Sequence, residues 1–217
     1  MIRVFSAVLM MIAFSAKAEG TISAAGRLEY ATSDGSCSAV LIRSDMIATA
    51  AHCVARRRMM FRPGDGRDGD TYLVADYEQH PFYEQTLERI HWKLRFDLAV
   101  GRLARPVPLS RAVPIQLGDD AQVGERLFIA SWRKDGTDRP RQRACPIIEG
   151  VPGLVTLGCQ VRGGESGAPV LRKTQTGLEL VAIISSRARR LKQPIAQASN
   201  VRLRLQPLID RLDAKTP

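Results

Sequence analysis

The sequence predicts an all-β protein built as a sandwich or barrel. Two observations carry that prediction. Short apolar or alternating runs follow one another along the chain, reading SAVLIRS, MIATAAH, TYLVADYEQ, LAVGRL, RLFIASW, LVTLGCQV, APVLRK and LELVAIISS. Turn chemistry separates them, in PGDGRDGD, KDGTDRP, EGVPG and KTQTG. Many short strands at regular spacing between Gly/Pro/Asp turns are the pattern of such folds.

The ends of the chain differ from this pattern. Residues 1–18 carry an early Arg3, an apolar run from Val4 to Ala16, and the small-x-small site Ala16-Lys17-Ala18. That reads as a secretory signal peptide, too short in its apolar part to anchor in a bilayer. A mature chain beginning near Glu19 and a periplasmic or secreted location are therefore expected, with no membrane span. The segment 104–114 holds three prolines and reads as a connector, which divides the rest into 19–109 and 110–217. In the tail, Leu205, Leu208, Ile209 and Leu212 recur at helical spacing, so one short closing helix is predicted there.

Four cysteines fit export, because an even count in an oxidising compartment favours disulfides. Pro152 lies midway between Cys145 and Cys159. If EGVPG is the turn of a hairpin, those two face each other across an antiparallel pair, within disulfide reach. Cys37 and Cys53 then pair by elimination, while the other two connectivities fit the spacing less well. None of the spacings resembles a metal site, and there is no phosphate loop or dinucleotide motif.

The formal net charge is +10, and loss of the leader would remove Arg3 and Lys17 from it. Basic clusters at 56–58, 139–143 and 187–192 raise the possibility of polyanion binding. Only 6% of residues are aromatic and none interleave with the clusters, so stacking platforms for nucleic acid are not expected. Solvated surface charge is the preferred reading.

The stretch VRGGESGAPVL places Ser166 among glycines, the setting either of a flexible turn or of an exposed nucleophile. The three histidines, His52, His80 and His91, all precede it. That order excludes an α/β-hydrolase triad and leaves His…Asp…Ser open. His52 ends an apolar stretch and adjoins Cys53, which would hold it rigidly; His80 sits in a polar loop and His91 beside Trp92. Of nine aspartates between His52 and Ser166, only Asp97 is embedded in an apolar run, FDLAV. A buried carboxylate needs partners, and orienting an imidazole is one use for it.

Together TAAHC (49–53), DLAV (97–100) and GESGAP (164–169) resemble the signature blocks of trypsin-like, chymotrypsin-fold serine proteases, in the flavour of bacterial secreted members near the glutamyl-endopeptidase-like branch. CSAVLI and HPFY match that family's wording as well, and the resemblance runs from about Gly26 to Leu212. It implies two six-stranded antiparallel barrels with the site between them. It also implies a catalytic His52, Asp97 and Ser166, an oxyanion hole from the N–H groups of Gly164 and Ser166, a protein or peptide substrate, and no cofactor or metal. A monomer is expected. By position, the resemblance assigns Gln160, Ser185, Ser186 and Arg187 to the substrate pocket. Glu165 stands where the family usually has Asp, and the start EGTISAAG does not resemble an Ile-Val-Gly-Gly terminus. Glu165 is therefore either a solvated loop carboxylate or one held by an arginine or backbone donors, the latter giving activity without an activating N-terminal cut. The competing function is a protease-like binding protein whose cleft is closed or unproductive.

Overall fold

Six strands close into a barrel in the first half of the chain. They are β1 (Ala25–Tyr30), β2 (Ser36–Arg43), β3 (Met46–Thr49), β4 (Met59–Pro63), β5 (Tyr72–Gln79) and β6 (Ala99–Leu103), in the spatial order β1-β2-β3-β6-β5-β4. The computed structural model describes residues 22–31, 35–54, 58–64, 69–86, 88–133 and 140–215, without the side chains of residues 90 and 91. The leader reading for residues 1–18 falls outside them.

The second half contributes β7 (Gln116–Leu117), β8 (Arg126–Ser131), β9 (Arg141–Val151), β10 (Leu154–Leu157), β11 (Pro169–Lys173), β12 (Leu178–Arg190) and β13 (Gln193–Asn200). Strands β8-β9-β10-β13-β12-β11 form a second antiparallel barrel, closed where β11 pairs with both β12 and β8. The short β7 lies alongside β12 in parallel. Each barrel has its own apolar core.

In β2 the expected alternation is lost, because six of its eight residues are buried. One face fills the first barrel and the other lies against the second, so neither meets water. The contact is polar as well as apolar: Ser38 lies in β2 and is fully buried.

Disulfides join Cys37 to Cys53 and Cys145 to Cys159. The hairpin turn is Pro152-Gly153 rather than a loop centred on Pro152 alone. From Leu154↔Val151 the register would set Cys159 one residue away from Cys145. A bulge between Thr156 and Leu157 shifts the pairing by one and brings the two cysteines face to face.

Three helices are described: α1 (Pro81–Gln85), α2 (Ile90–Arg95) and α3 (Arg202–Ala214). The first lies in the stretch around His80 read as polar loop, and the second in the stretch around His91 and Trp92. His80 caps α1, accepting from the Phe82 N–H at 3.3 Å, and Pro81 takes the first helical position. So short a helix has no repeat for periodicity to detect. The closing helix α3 follows the second barrel in sequence but packs on β5 and β6, and its Leu205, Leu208, Ile209 and Leu212 join the core of the first. No described helix is long and apolar enough to cross a membrane.

Candidate active site

His52 sits in the 3-10 turn Ala51–Cys53 at the end of β3. The cystine to Cys37 ties the turn to β2, and the Tyr30 hydroxyl donates to the Cys53 carbonyl at 2.7 Å. Asp97, just ahead of β6, is 3% exposed. It approaches His52 twice: its Oδ1 accepts the His52 backbone N–H at 3.0 Å, and its Oδ2 lies 2.7 Å from ring Nδ1. The Ser185 hydroxyl also donates to Oδ2. Three donors thus satisfy a carboxylate that burial would otherwise penalise. With Nδ1 engaged, Nε2 is the ring atom free to exchange a proton with a reacting group.

Ser166 belongs to a loop of the second barrel that is clamped onto the first. The Ser38 N–H donates to the Ser166 carbonyl at 2.7 Å, and the Ser38 hydroxyl donates to the Gly164 carbonyl at 3.0 Å. That hydroxyl also accepts the Trp132 N–H at 3.0 Å. Gly167 has φ +79°, and a Cβ there would collide with the Ser38 carbonyl and the Thr49 hydroxyl, so only glycine allows this approach. No hydrogen bond joins the Ser166 hydroxyl to His52 among the described residues.

The loop turns at Arg162–Glu165, where the Glu165 N–H meets the Arg162 carbonyl at 3.1 Å and Gly164 has φ +89°. A turn with positive φ at its third residue needs glycine there. Among the described residues, no acceptor receives the N–H groups of Gly164 and Ser166, so both are free to donate to a ligand.

Glu165 is fully buried. Its Oε1 accepts from the Ser131 hydroxyl at 2.5 Å and from Arg143 Nη1 at 2.7 Å. Its Oε2 accepts from the Arg162 N–H at 2.6 Å and Arg143 Nη2 at 3.2 Å. Burial pushes the Glu165 carboxyl up, but the bonds from Arg143 and Ser131, the Arg143 charge and the Arg162 N–H outweigh it and hold it below its usual value. Of the two readings of Glu165, the arginine-held carboxylate describes it; the nearer arginine, Arg143, comes from the basic cluster at 139–143, and Arg133 Nε adds a contact to Oε1 at 3.5 Å.

The pocket residues divide. Ser186 and Arg187 line a cavity of about 160 Å³ against Ser166, with Arg162 and Gly163. Gln160 lines an adjoining cavity of about 430 Å³ instead. Ser185 is instead turned to Asp97, to which its hydroxyl donates, at an irregularity of β12 between Ile184 and Ser186. His80 is half-buried, stacked on Phe96 at 4.7 Å, and serves α1. The side chain of His91 lies outside the described residues. Ser38, Ser131 and Arg143 carry no local sign of their part in this site, because each reaches it from a distant strand. The only described cluster with metal-binding geometry is Cys37, His52 and Cys53, whose sulfurs are spent in a disulfide.

Residues 15–203 match the family described as Trypsin. A curated relative, a vitellin-degrading protease from Bombyx mori, is 25% identical over 175 residues, which is 64% of this chain. The chain spans 62% of that relative's length. A solved structure of a Glu endopeptidase in complex with MPD superposes with a TM-score of 0.74 over 89% of this chain and 92% of that one, at 15% identity. At that identity the likeness speaks for the two-barrel fold alone. A family match over most of the sequence, on a fold of two closed six-stranded barrels, places the chain in the trypsin family.

Proposed function

We propose that the chain is a secreted or periplasmic serine endopeptidase acting as a monomer, with Ser166 as nucleophile, His52 as general base and acid, and Asp97 as the residue that orients His52. In the first step Ser166 Oγ attacks the peptide carbonyl carbon while His52 Nε2 takes the hydroxyl proton. Asp97, at Nδ1, stabilises the imidazolium. The negative oxygen is received by the N–H groups of Gly164 and Ser166. Collapse breaks the C–N bond, the leaving amine takes the proton from His52, and an ester remains on Ser166. Water, deprotonated by His52, then cleaves the ester, releasing a carboxylic acid and restoring the serine.

The observation that carries this reading is the buried Asp97 holding His52 from two directions, across from a loop with two unclaimed N–H donors. The missing Ser166–His52 bond is compatible with it, because such bonds are often loose before substrate arrives. Glu165 has its donors inside the fold, so the oxyanion loop needs no new N-terminal ammonium. The test is covalent labelling with a fluorophosphonate probe, with Ser166→Ala as control. Labelling of the wild type alone supports the reading. A folded wild type that stays unlabelled from pH 7 to 9 would falsify it and leave the binding-protein alternative.

A further inference from the structure

Among the described residues, two that are not glycine have positive φ, and they are neighbours: Leu191 at +47° and Lys192 at +69°. They form the two-residue turn between β12 and β13, whose last strand pair is Arg190↔Gln193. A tight hairpin turn of this kind has positive φ at both central residues, which is why asparagine and glycine are favoured there. A leucine in that conformation crowds its own backbone, and Leu191 gains no burial, being 94% exposed. A single exposed apolar side chain is ordinary on a protein surface. One fixed in a backbone conformation that it disfavours adds nothing to the fold and points to a contact outside it.

The turn stands clear of the barrel. β11 leaves β12 at Ile183, and β10 leaves β13 at Ala196. Beyond those pairings the two strands run on as a ribbon of their own, with every residue from Arg189 to Pro194 exposed. Arg187 and Arg189 lie on one face of it, Arg190 lies on the other, and Lys192 sits beside the tip. Between Glu179 and Asp210 the sequence has no acidic residue. Among the described residues, the carboxylate paired with the ribbon is Glu149, 3.1 Å from Arg190, with both side chains more than half exposed. An ion pair so exposed is weak and gives way to another anion. The tip is thus a leucine collared by positive charge.

We propose that the β12–β13 ribbon docks the protein on anionic lipid bilayers, with Leu191 entering the apolar layer and Arg189, Arg190 and Lys192 meeting the lipid phosphates. Either signal alone gives marginal attachment, whereas apolar insertion joined to a basic patch gives a stable one. Both are present here between Arg189 and Lys192. Nucleic acid would engage the same cations but leave Leu191 in water, so the exposed leucine is what favours lipid. The inference goes beyond the peptidase reading and does not depend on it. Where both hold, docking brings the cleft about 15 Å from the lipid surface, because Ser186 lines the cavity against Ser166 and lies one short run of strand from Leu191.

The test is sedimentation of the mature chain, free of the apolar leader, with vesicles of phosphatidylcholine alone or mixed with phosphatidylglycerol. The wild type should bind the mixed vesicles and not the neutral ones, and its affinity should fall steeply as salt rises from about 0.1 M to about 1 M. Arg189→Gln/Lys192→Gln should bind roughly twentyfold more weakly, from about fivefold for each cation. Leu191→Asn should bind roughly tenfold more weakly. Asparagine accepts positive φ, so this variant should melt no lower than the wild type, which separates lost docking from lost folding. Ser166→Ala should bind as the wild type does, so the outcome is read whether or not the peptidase reading stands. Equal binding to neutral and mixed vesicles, or binding to neither, overturns the inference. So does a Leu191→Asn variant that binds as tightly as the wild type, or a wild type that prefers an oligodeoxythymidylate to the mixed vesicles.

Discussion

The Ser38 hydroxyl donates to the Gly164 carbonyl at 3.0 Å, across the boundary between the two barrels. The same oxygen accepts from the Trp132 N–H, and the Ser38 N–H holds the Ser166 carbonyl. One buried residue of the first barrel thus fixes the loop of the second that bears Ser166, the proposed nucleophile, and both free N–H donors. Losing the hydroxyl leaves the Gly164 carbonyl and the Trp132 N–H unpartnered in a buried place, which costs about 1–3 kcal/mol. Ser38→Ala is expected to lower the melting temperature by several degrees. It should slow fluorophosphonate labelling about tenfold, because the donors lose their fixed aim. Ser38→Thr, which keeps the hydroxyl, should label faster than Ser38→Ala; equal rates would show that the hydroxyl plays no positioning part.

Glu165 and Arg143 make the second such tie, within the second barrel. Arg143 is the nearer of two cations on the buried Glu165, Arg133 lying 3.5 Å away, so Arg143→Gln leaves the charge undercompensated and is expected to cost about 3 kcal/mol near neutral pH. The sign of the pH dependence separates this from a general packing loss. In the wild type the depressed Glu165 gives stability that is complete above the unfolded-state value of a glutamate and is lost as pH falls through its folded value. Without Arg143 the balance moves toward burial, which pushes the carboxyl up, against the weaker hold of Ser131 and the Arg162 N–H. The gap in melting temperature between wild type and variant should therefore narrow as pH falls from 7 to 4. A constant gap across that range would rule out the charge pair as the cause.

How much of this was legible in the sequence follows from the range of each interaction. His52, Asp97 and Ser166 stand out because each sits in a local pattern: an apolar stretch ending at a cysteine, an acid inside an apolar run, a serine among glycines. The hairpin that joins Cys145 and Cys159 follows from turn spacing, though the bulge that sets its register does not. Glu165 could be flagged as needing a donor, but Arg143 could not be chosen from 32 basic residues, since it arrives on β9 through barrel closure. That the Ser185 hydroxyl faces Asp97 is not legible either, because the facing depends on a shift between Ile184 and Ser186 that the residues do not announce. The helices α1 and α2 are too short for a repeat to show: α1 is set by the His80 cap and Pro81, and α2 spans six residues with no side-chain cap.

His80 gives a separate pH signature. Burial, then the charges of Arg204 and Arg211, lower it from 6.5 to about 4. Its unfolded form binds a proton at a higher pH than its folded form does. Its contribution to stability is thus full above about pH 6.5 and is lost as pH falls toward 4. His80→Asn keeps a side chain able to cap α1 and removes the titration. The plot of melting temperature against pH should be flatter for the variant between pH 6.5 and 4. Parallel curves would mean that His80 does not titrate differently on folding.

The two disulfides close loops of similar size, with sequence separations of 16 and 14, so the chain-entropy model assigns each about 3 kcal/mol. Their surroundings differ. Cys37 precedes Ser38 and Cys53 follows His52, so that cystine ties together the residue that holds the Ser166 loop and the proposed base His52. Cys159 instead precedes Gln160 and Val161, which line the proposed substrate cavities, Gln160 the larger one and Val161 both. Comparable losses of melting temperature are expected for Cys37→Ala/Cys53→Ala and Cys145→Ala/Cys159→Ala. Labelling by a small fluorophosphonate, which needs no side-chain pocket, should fall at least tenfold more in the first variant. In the second, peptide cleavage should suffer mainly through a raised KM, since the disturbed part binds substrate rather than moving the proton. Equal labelling losses in the two variants would show that the Cys37–Cys53 bridge stabilises the barrel without positioning His52.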